Sequence, residues 1–521
     1  MQSEKNRERR AHRVRTVAVI DIGSTAIRMI VAEVSPGGDW RRLDRAQRPV
    51  ALGRDVFTGG FISRESMLQS IRILAAFAEL LEGWKVLPRD VRVVATSAIR
   101  EAKNRDTFID RVHIRTGFRI NVIEGVEENH LTYLAVQGAI NHMRPQFSRS
   151  GSLILEVGGG TSVLMILNRG KMISAHSLRI GTVRVQQQIR PGFDSSHQIR
   201  EYLRENVRVT KEVLEAEFDL NRVRFFVAVG GDARLAARMV GEKQHDYFSV
   251  VKKKAFNEFV AGVEELAVDE CVEQLGISYY EAEALQPALL LYKFFLDVTS
   301  ADHMIVPDVS IREGVLISFA LGTSRMVEEQ FYSQVIASAV SLGRKYHFDE
   351  PHARHVAKLA LELFDQLADE HGLDQHARLL LEVAALLHDI GNFVRSSGHH
   401  KHSQYLVANS EIFGFSREDI RILANLVRYH RKAPPQSGHA NFVSLRREHR
   451  LIVLKLSAIL RIADALDRSH SQRVRGVTVE IVEGDMLLHV EHSGDVSVER
   501  YGLEQKGDMV EQVFGYTAKI V

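Results

Sequence analysis

Two segments of the chain end a β-branched run with an acid, one apolar residue, a glycine and then hydroxyl side chains. The first is Asp21-Ile22-Gly23-Ser24-Thr25, and the second is Glu156-Val157-Gly158-Gly159-Gly160-Thr161-Ser162. A strand that turns sharply at glycine offers successive backbone N–H groups, and such a concavity binds phosphate oxygens. An acid at the strand end, Asp21 or Glu156, can hold a divalent cation directly or through water. Two such hairpins facing each other would clamp a phosphate chain from both sides. Further polar groups fall at strand ends: Thr96, Ser97 and Arg100 suit phosphate oxygens, and one carboxylate of the pair Glu127-Glu128 would activate a water molecule.

A second set of chemical residues lies later in the chain. His352, the doublet His388-Asp389, His399, His430 and Asp464 sit within segments of helical periodicity. Imidazoles and carboxylates on converging helices are ligands for Mn, Fe, Ni or Mg rather than for a sulfur-loving ion. The neighbouring His355, His400 and His402 read as structural residues.

These groups need elements to carry them. Residues 17–21 and 27–34 read as a hairpin, 63–84 as a helix with Ser63 as its N-cap, and 91–96 and 119–123 as strands. The pattern then repeats: a strand from Leu153, a helix near 194–218, a buried strand at 224–229, helical sequence over 255–298 and a strand near 304–309. Parallel strands alternating with helices, built twice, predict an α/β protein of two similar lobes with a cleft between them. From about Ser324 the strand pattern gives way to helical periodicity, and beyond Arg473 alternation returns. The expected organisation is a basic disordered arm over 1–15, a first lobe over 16–138, a second over 139–323, an all-helical domain over 324–473 and a small α+β segment over 474–521.

Composition bounds the rest. At 521 residues the chain is too long for one core. Lys plus Arg (68) nearly balances Asp plus Glu (66), so net charge gives no reason to expect a nucleic-acid partner. The single cysteine, Cys271, excludes an intramolecular disulfide framework and fits a reducing, cytoplasmic setting. No apolar run is as long as a membrane span, and the N-terminus lacks the apolar stretch of a signal peptide.

In order along the chain, Asp21-Ile-Gly-Ser, Ala95-Thr-Ser-Ala-Ile-Arg-Glu-Ala-Lys-Asn, Val122-Ile-Glu-Gly-Val-Glu-Glu, Glu156-Val-Gly-Gly-Gly, Ser177-Leu-Arg-Ile-Gly and Arg312-Glu-Gly-Val-Leu resemble the exopolyphosphatase and guanosine pentaphosphate phosphohydrolase family. The resemblance implies two ribonuclease-H-like lobes of the actin-like phosphotransferase superfamily. It also implies removal of terminal phosphate from inorganic polyphosphate or from pppGpp, with Mg²⁺ or Mn²⁺ in the cleft and a homodimer as the working form. By position it makes Glu127 the catalytic base, residues 21–25 and 158–162 the two phosphate loops, and Arg100 a contact of the phosphoanhydride chain. Two positions depart from the family pattern. Glu156 replaces the usual aspartate, and Val163 stands where a metal-holding glutamate is usual.

The order His352, His388-Asp389, Asp464 resembles the HD superfamily of metal-dependent phosphohydrolases, which implies divalent metal at this HD-like site, with His399 and His430 as ligands of a second ion. The leading expectation is an exopolyphosphatase acting in the interlobe cleft. The alternatives are a pppGpp 5′-phosphohydrolase, a weakly catalytic sensor of polyphosphate or an alarmone, and a nucleotide phosphohydrolase acting at the HD site.

Overall fold

The runs of β-branched residues become strands buried on both faces, which is why they read as continuous apolar sequence rather than as alternation. In the computed structural model, residues 14–35, 40–140, 143–189, 195–321 and 325–521 are described. They form two compact units, Met1–Gln330 and Phe331–Val521. Of the basic arm, residues 1–13 lie outside the described residues, and Arg15 already opens the first strand.

The first unit holds two sheets. One has five strands in the order β3-β2-β1-β4-β5: β1 (Arg15–Ile22), β2 (Ala26–Val34), β3 (Trp40–Pro49), β4 (Val91–Ala95) and β5 (Ile120–Val122). The other has seven, in the order β10-β11-β12-β9-β6-β7-β8: β6 (Gly151–Val157), β7 (Ser162–Asn168), β8 (Lys171–Leu178), β9 (Val223–Val229), β10 (Glu242–His245), β11 (Phe248–Lys252) and β12 (His303–Pro307). Both sheets are mixed, with the expected hairpins joined to parallel crossovers. β1 pairs antiparallel with β2 and parallel with β4, and β6 pairs antiparallel with β7 and parallel with β9. The two acid-bearing strands therefore occupy the same topological position in their sheets.

Strands β3 and β10 escape a sequence reading for a physical reason. Each is an edge strand, and Trp-Arg-Arg-Leu-Asp-Arg-Ala-Gln-Arg-Pro and Glu-Lys-Gln-His carry the charges that blunt exposed edges. The helical stretch expected over 255–298 is three helices, Lys253–Glu265, Val268–Leu275 and Tyr279–Asp297.

The second unit begins with helices, among them Glu350–Gln366, Gln375–Leu387, His399–Ala408, Arg417–Tyr429 and Arg447–Ala465. Their apolar faces, such as Val356, Ala360 and Leu363 on the first, pack inward at helical spacing. A three-stranded sheet follows: β13 (Val474–Val482), β14 (Asp485–His492) and β15 (Thr517–Ile520), with helices Ser497–Lys506 and Asp508–Phe514 inserted before the last strand. No helix among the described residues is long and apolar enough to cross a membrane.

Candidate functional site

The two hairpins close in the same way. The Gly23 N–H donates to Ala26 O at 3.1 Å, and the Gly158 N–H donates to Thr161 O at 3.0 Å. The loop carbonyls are committed to protein donors: Ser24 O accepts from Gly53 N at 2.8 Å and Gly159 O from Val183 N at 2.9 Å. That commitment is the condition for a loop to offer its N–H groups to an anion. Gly160 is required by close approach, since a Cβ there would lie 2.3 Å from the Phe57 ring and 2.4 Å from Ser97 Oγ.

The hairpins flank a cavity of about 190 Å³ lined by Asp21, Gly23, Ser24, Thr25, Gly158, Gly159, Thr161, Glu128 and Glu156. Gly160 and Ser162 are not among its lining residues, and the Ser162 hydroxyl donates to Ile180 O. The floor is acidic. Burial raises the Asp21 carboxyl, and the guanidinium of Arg28, 4.0 Å away, opposes that rise. Burial and the nearby charge of Glu128 push Glu156 up to about 7, and the Thr132 hydroxyl donates to its Oε2.

Of the adjacent pair in the helix Gly125–Ile140, Glu128 lines the cavity and Glu127 does not. Successive helical residues point about 100° apart, so one member of such a pair turns away. Glu128 shares its face with Thr132, one turn on, which reaches Glu156. The neighbours of Glu127 are Asn121 and Glu124. The member of the pair that faces the cavity is therefore Glu128, one residue on from the Glu127 that the resemblance implies. Arg100 stands beside Glu128. Its Nη1 donates to Ile123 O at 2.8 Å and lies 3.5 Å from Glu128 Oε2, so it steadies Glu128 from behind rather than lining the cavity.

The cavity walls carry Arg28, Arg234, Arg238 and Arg312 with Asp232 and Glu281, none of them singled out from the sequence as a ligand. Burial pushes Asp232 up to about 7 against the pull of Arg234. Gly230 before it has φ +142°, and a Cβ there would meet Tyr292 Oη at 2.6 Å. Val163 is cross-strand from Glu156, the position that Arg28 holds opposite Asp21, and it is buried in the sheet.

In the second unit, the residues expected as metal ligands converge in two groups whose ligand atoms lie within 4.8 Å of one another: His352, His388 and Asp464, and Asp389, His399 and His430. The local structure fixes the imidazoles. His388 and His430 each follow the last residue of a helix, and their Nδ1 atoms bond the carbonyls of Ala385 and Val427, both at 2.7 Å. These are carbonyls of a last helical turn, which lack intrahelical partners. His399 Nδ1 takes Ser396 O at 3.0 Å, and His352 Nδ1 takes Asp467 Oδ2 at 2.8 Å.

With each Nδ1–H so committed, the neutral form of a ring presents its lone pair at Nε2, and Asp467 with Asp464 outweighs burial to raise His352. Burial holds His388 and His430 below the ordinary histidine value. Yet Nε2 of His352 lies 3.3 Å from Nε2 of His388, and Nε2 of His399 lies 3.3 Å from Nε2 of His430. Lone pairs facing each other at that range suit two nitrogens on one cation, because bonds of about 2 Å at a tetrahedral angle separate donors by about 3 Å. Asp389 Oδ1 lies 2.9 Å from His399, 3.5 Å from His430 and 3.8 Å from His388, between the two groups. The Nε2 lone pairs and the carboxylates therefore fit divalent cations. Residues not read from the sequence complete the centre: Asp467, fully buried behind His352; Lys506, whose ammonium contacts Asp464; and His470, stacked on His352 at 3.6 Å between centroids.

A profile of the Ppx/GppA phosphatase family matches residues 30–322, and one of Ppx/GppA phosphatase domain III matches residues 336–505. A guanosine-5′-triphosphate,3′-diphosphate pyrophosphatase of Aliivibrio fischeri is 25% identical over 454 residues, covering 85% of this chain and 86% of that protein. The crystal structure of an exopolyphosphatase from Cytophaga hutchinsonii is 21% identical with a TM-score of 0.53, covering 59% of this chain and 98% of that one. That of an exopolyphosphatase-like protein is 22% identical with a TM-score of 0.52, over 59% of this chain and 98% of the other. At these identities the solved structures speak for the fold alone, the two actin-like lobes. With the family profile covering more than half of the chain on that fold, the chain belongs to the Ppx/GppA phosphatase family.

Proposed function

We propose that the cleft hydrolyses the terminal phosphoanhydride of inorganic polyphosphate, releasing orthophosphate, with Glu128 as the group that activates water. The observation that carries this reading is the cavity itself: two matched glycine hairpins over a floor of Asp21, Glu128 and Glu156, with Arg28, Arg234, Arg238 and Arg312 on its walls. Guanidiniums bind phosphate oxygens in pairs of parallel hydrogen bonds, and the hairpin N–H groups add fixed dipoles. Phosphoryl transfer needs positioning and charge neutralisation more than covalent chemistry.

The step balances simply. A water oxygen attacks the terminal phosphorus, its proton passes to the Glu128 carboxylate, and the P–O bond to the bridging oxygen breaks. Burial raises Glu128, and the guanidinium of Arg100 partly counters that rise. Asp21 and Glu156 would hold a divalent ion such as Mg²⁺ or Mn²⁺, which supplies neutralisation of phosphate charge when bound. Their crowding with Glu128 supports this, because a cation relieves the repulsion that lifts Glu156. Glu128→Gln should lower the rate of phosphate release by about a hundredfold or more, and Glu127→Gln should change it far less. A large loss from the Glu127 variant alone would return the base to that residue.

A second substrate, pppGpp, is favoured by the likeness to the Aliivibrio protein and by Tyr280, half exposed on the cleft wall, whose ring can stack on a purine. The histidine-rich centre is proposed as a separate site for two divalent cations, held by His352, His388, Asp389 and Asp464 and by Asp389, His399 and His430. The paired Nε2 atoms support that assignment. Its chemistry would be phosphoester hydrolysis by metal-activated water.

A further inference from the structure

A second, smaller cavity of about 30 Å³ adjoins the cleft, lined by Ile30, Arg42, Arg45, Arg234, Asp308, Val309, Arg312 and Glu313. Arg234 and Arg312 line both cavities. Along β2 and β3 the pairings are Arg28 with Gln47, Ile30 with Arg45 and Ala32 with Arg42. Alternation puts Arg28, Ile30 and Ala32 on one face of β2. Regular pairing from Ile30–Arg45 would put Leu43, not Arg42, opposite Ala32. The register shift between Val31 and Ala32 brings Arg42 there instead, onto the face that Arg28 occupies. A bulge beside an active site re-aims a side chain in this way.

The arginines thus form a line that starts on the cleft wall at Arg28 and runs out to the edge strand over four residues, about 13 Å. The carboxylates along it are few and already engaged. Asp308 lies 3.8 Å from Arg42 and 3.7 Å from Arg234. Glu313 Oε2 accepts from the backbone N–H and the hydroxyl of Ser310, at 2.8 and 2.7 Å. Four guanidiniums against two carboxylates leave the small cavity cationic. A single terminal phosphate in the cleft cannot span that length.

We infer that Arg42 and Arg45, with Arg234 and Arg312, form an outer phosphate subsite that takes the inner phosphates of a linear condensed-phosphate chain whose end lies in the cleft. The inference rests on the proposed cleft reaction, and it makes the enzyme selective for long chains over short ones.

The test uses the full chain in a Glu128→Gln background, so that binding is measured without turnover, with long-chain polyphosphate, tripolyphosphate and pppGpp as probes. Arg42→Ala/Arg45→Ala should weaken long-chain binding by about tenfold or more and reduce its preference over tripolyphosphate by a similar factor. Arg42→Lys/Arg45→Lys should recover part of it. Arg41→Ala, which removes the same kind of charge from an exposed arginine paired with Glu33, should leave that preference unchanged. Unchanged long-chain affinity in the double alanine variant overturns the subsite. Loss of pppGpp binding in place of polyphosphate binding overturns the chain assignment and gives the arginines to a second phosphate group of a nucleotide. If the wild type releases no phosphate from any of the three, the cleft reaction fails, while the binding measurement still decides the subsite.

Discussion

Asp467 gives the sharpest handle on the histidine-rich centre. It is fully buried, its Oδ2 accepts from His352 Nδ1 at 2.8 Å, and its Oδ1 accepts from Gln472 N at 2.7 Å. The carboxylate fixes the tautomer of His352 and raises the basicity of the Nε2 that faces His388. Asp467→Asn keeps the shape and opens no cavity, but removes the charge. Partners of this kind are worth ten- to a hundredfold in metal affinity, or about 1.4–2.8 kcal/mol. The assay is elemental analysis of dialysed protein together with titration of Mn²⁺ against a coloured chelator. Wild type should hold two ions in this centre, Asp467→Asn should bind one of them ten- to a hundredfold more weakly, and His388→Ala should lose that ion. Equal metal content and affinity in all three proteins would refute the two-ion centre.

Lys506 occupies Asp464 from the C-terminal segment, and its ammonium holds that carboxyl far below the usual range despite burial. Lys506→Met should lower the melting temperature in chelator, where Asp464 is left unpaired, and regain it on adding Mn²⁺, since a cation replaces the ammonium. Tyr280→Ala should raise KM for pppGpp several-fold and leave polyphosphate little changed if the ring stacks on guanine; equal effects on both would remove the stacking role. Burial pushes the Asp232 carboxyl up to about 7, from an ordinary value of about 4. A raised acid binds its proton more tightly when folded, so its contribution is full below about 4 and is lost as pH rises through 7. Asp232→Asn should therefore come closest to wild type in melting temperature near pH 4 and exceed it by a margin that grows to several degrees by pH 8. A gap that does not widen with pH would contradict the burial of that carboxyl.

What the residues disclosed in advance depended on what fixed them. The paired hairpins were legible because each needs an apolar strand, a glycine turn and an acid in fixed order, all local in sequence. The clustered histidines of the second unit were legible because their types are rare and lie near helix ends. The choice between Glu127 and Glu128 was not, because it depends on the phase of a helix against a sheet that pairs residues far apart, with Thr132 meeting Glu156. Arg28, Arg42, Arg45 and Arg234 were hidden for a related reason. They look like ordinary surface charge until β3 is recognised as an edge strand and its bulge turns Arg42 toward the cleft face. Asp467 and Lys506 act through other side chains, and no spacing rule marks such residues.

The phosphoanhydride chemistry is proposed for the cleft and not for the histidine-rich centre. The most direct measurement is orthophosphate release from long-chain polyphosphate, with Mg²⁺ or Mn²⁺ present, by wild type, Glu128→Gln and the His388→Ala/Asp389→Ala double variant. Release should be nearly abolished in Glu128→Gln and largely retained in the double variant. Release lost only when His388 and Asp389 are removed would contradict it.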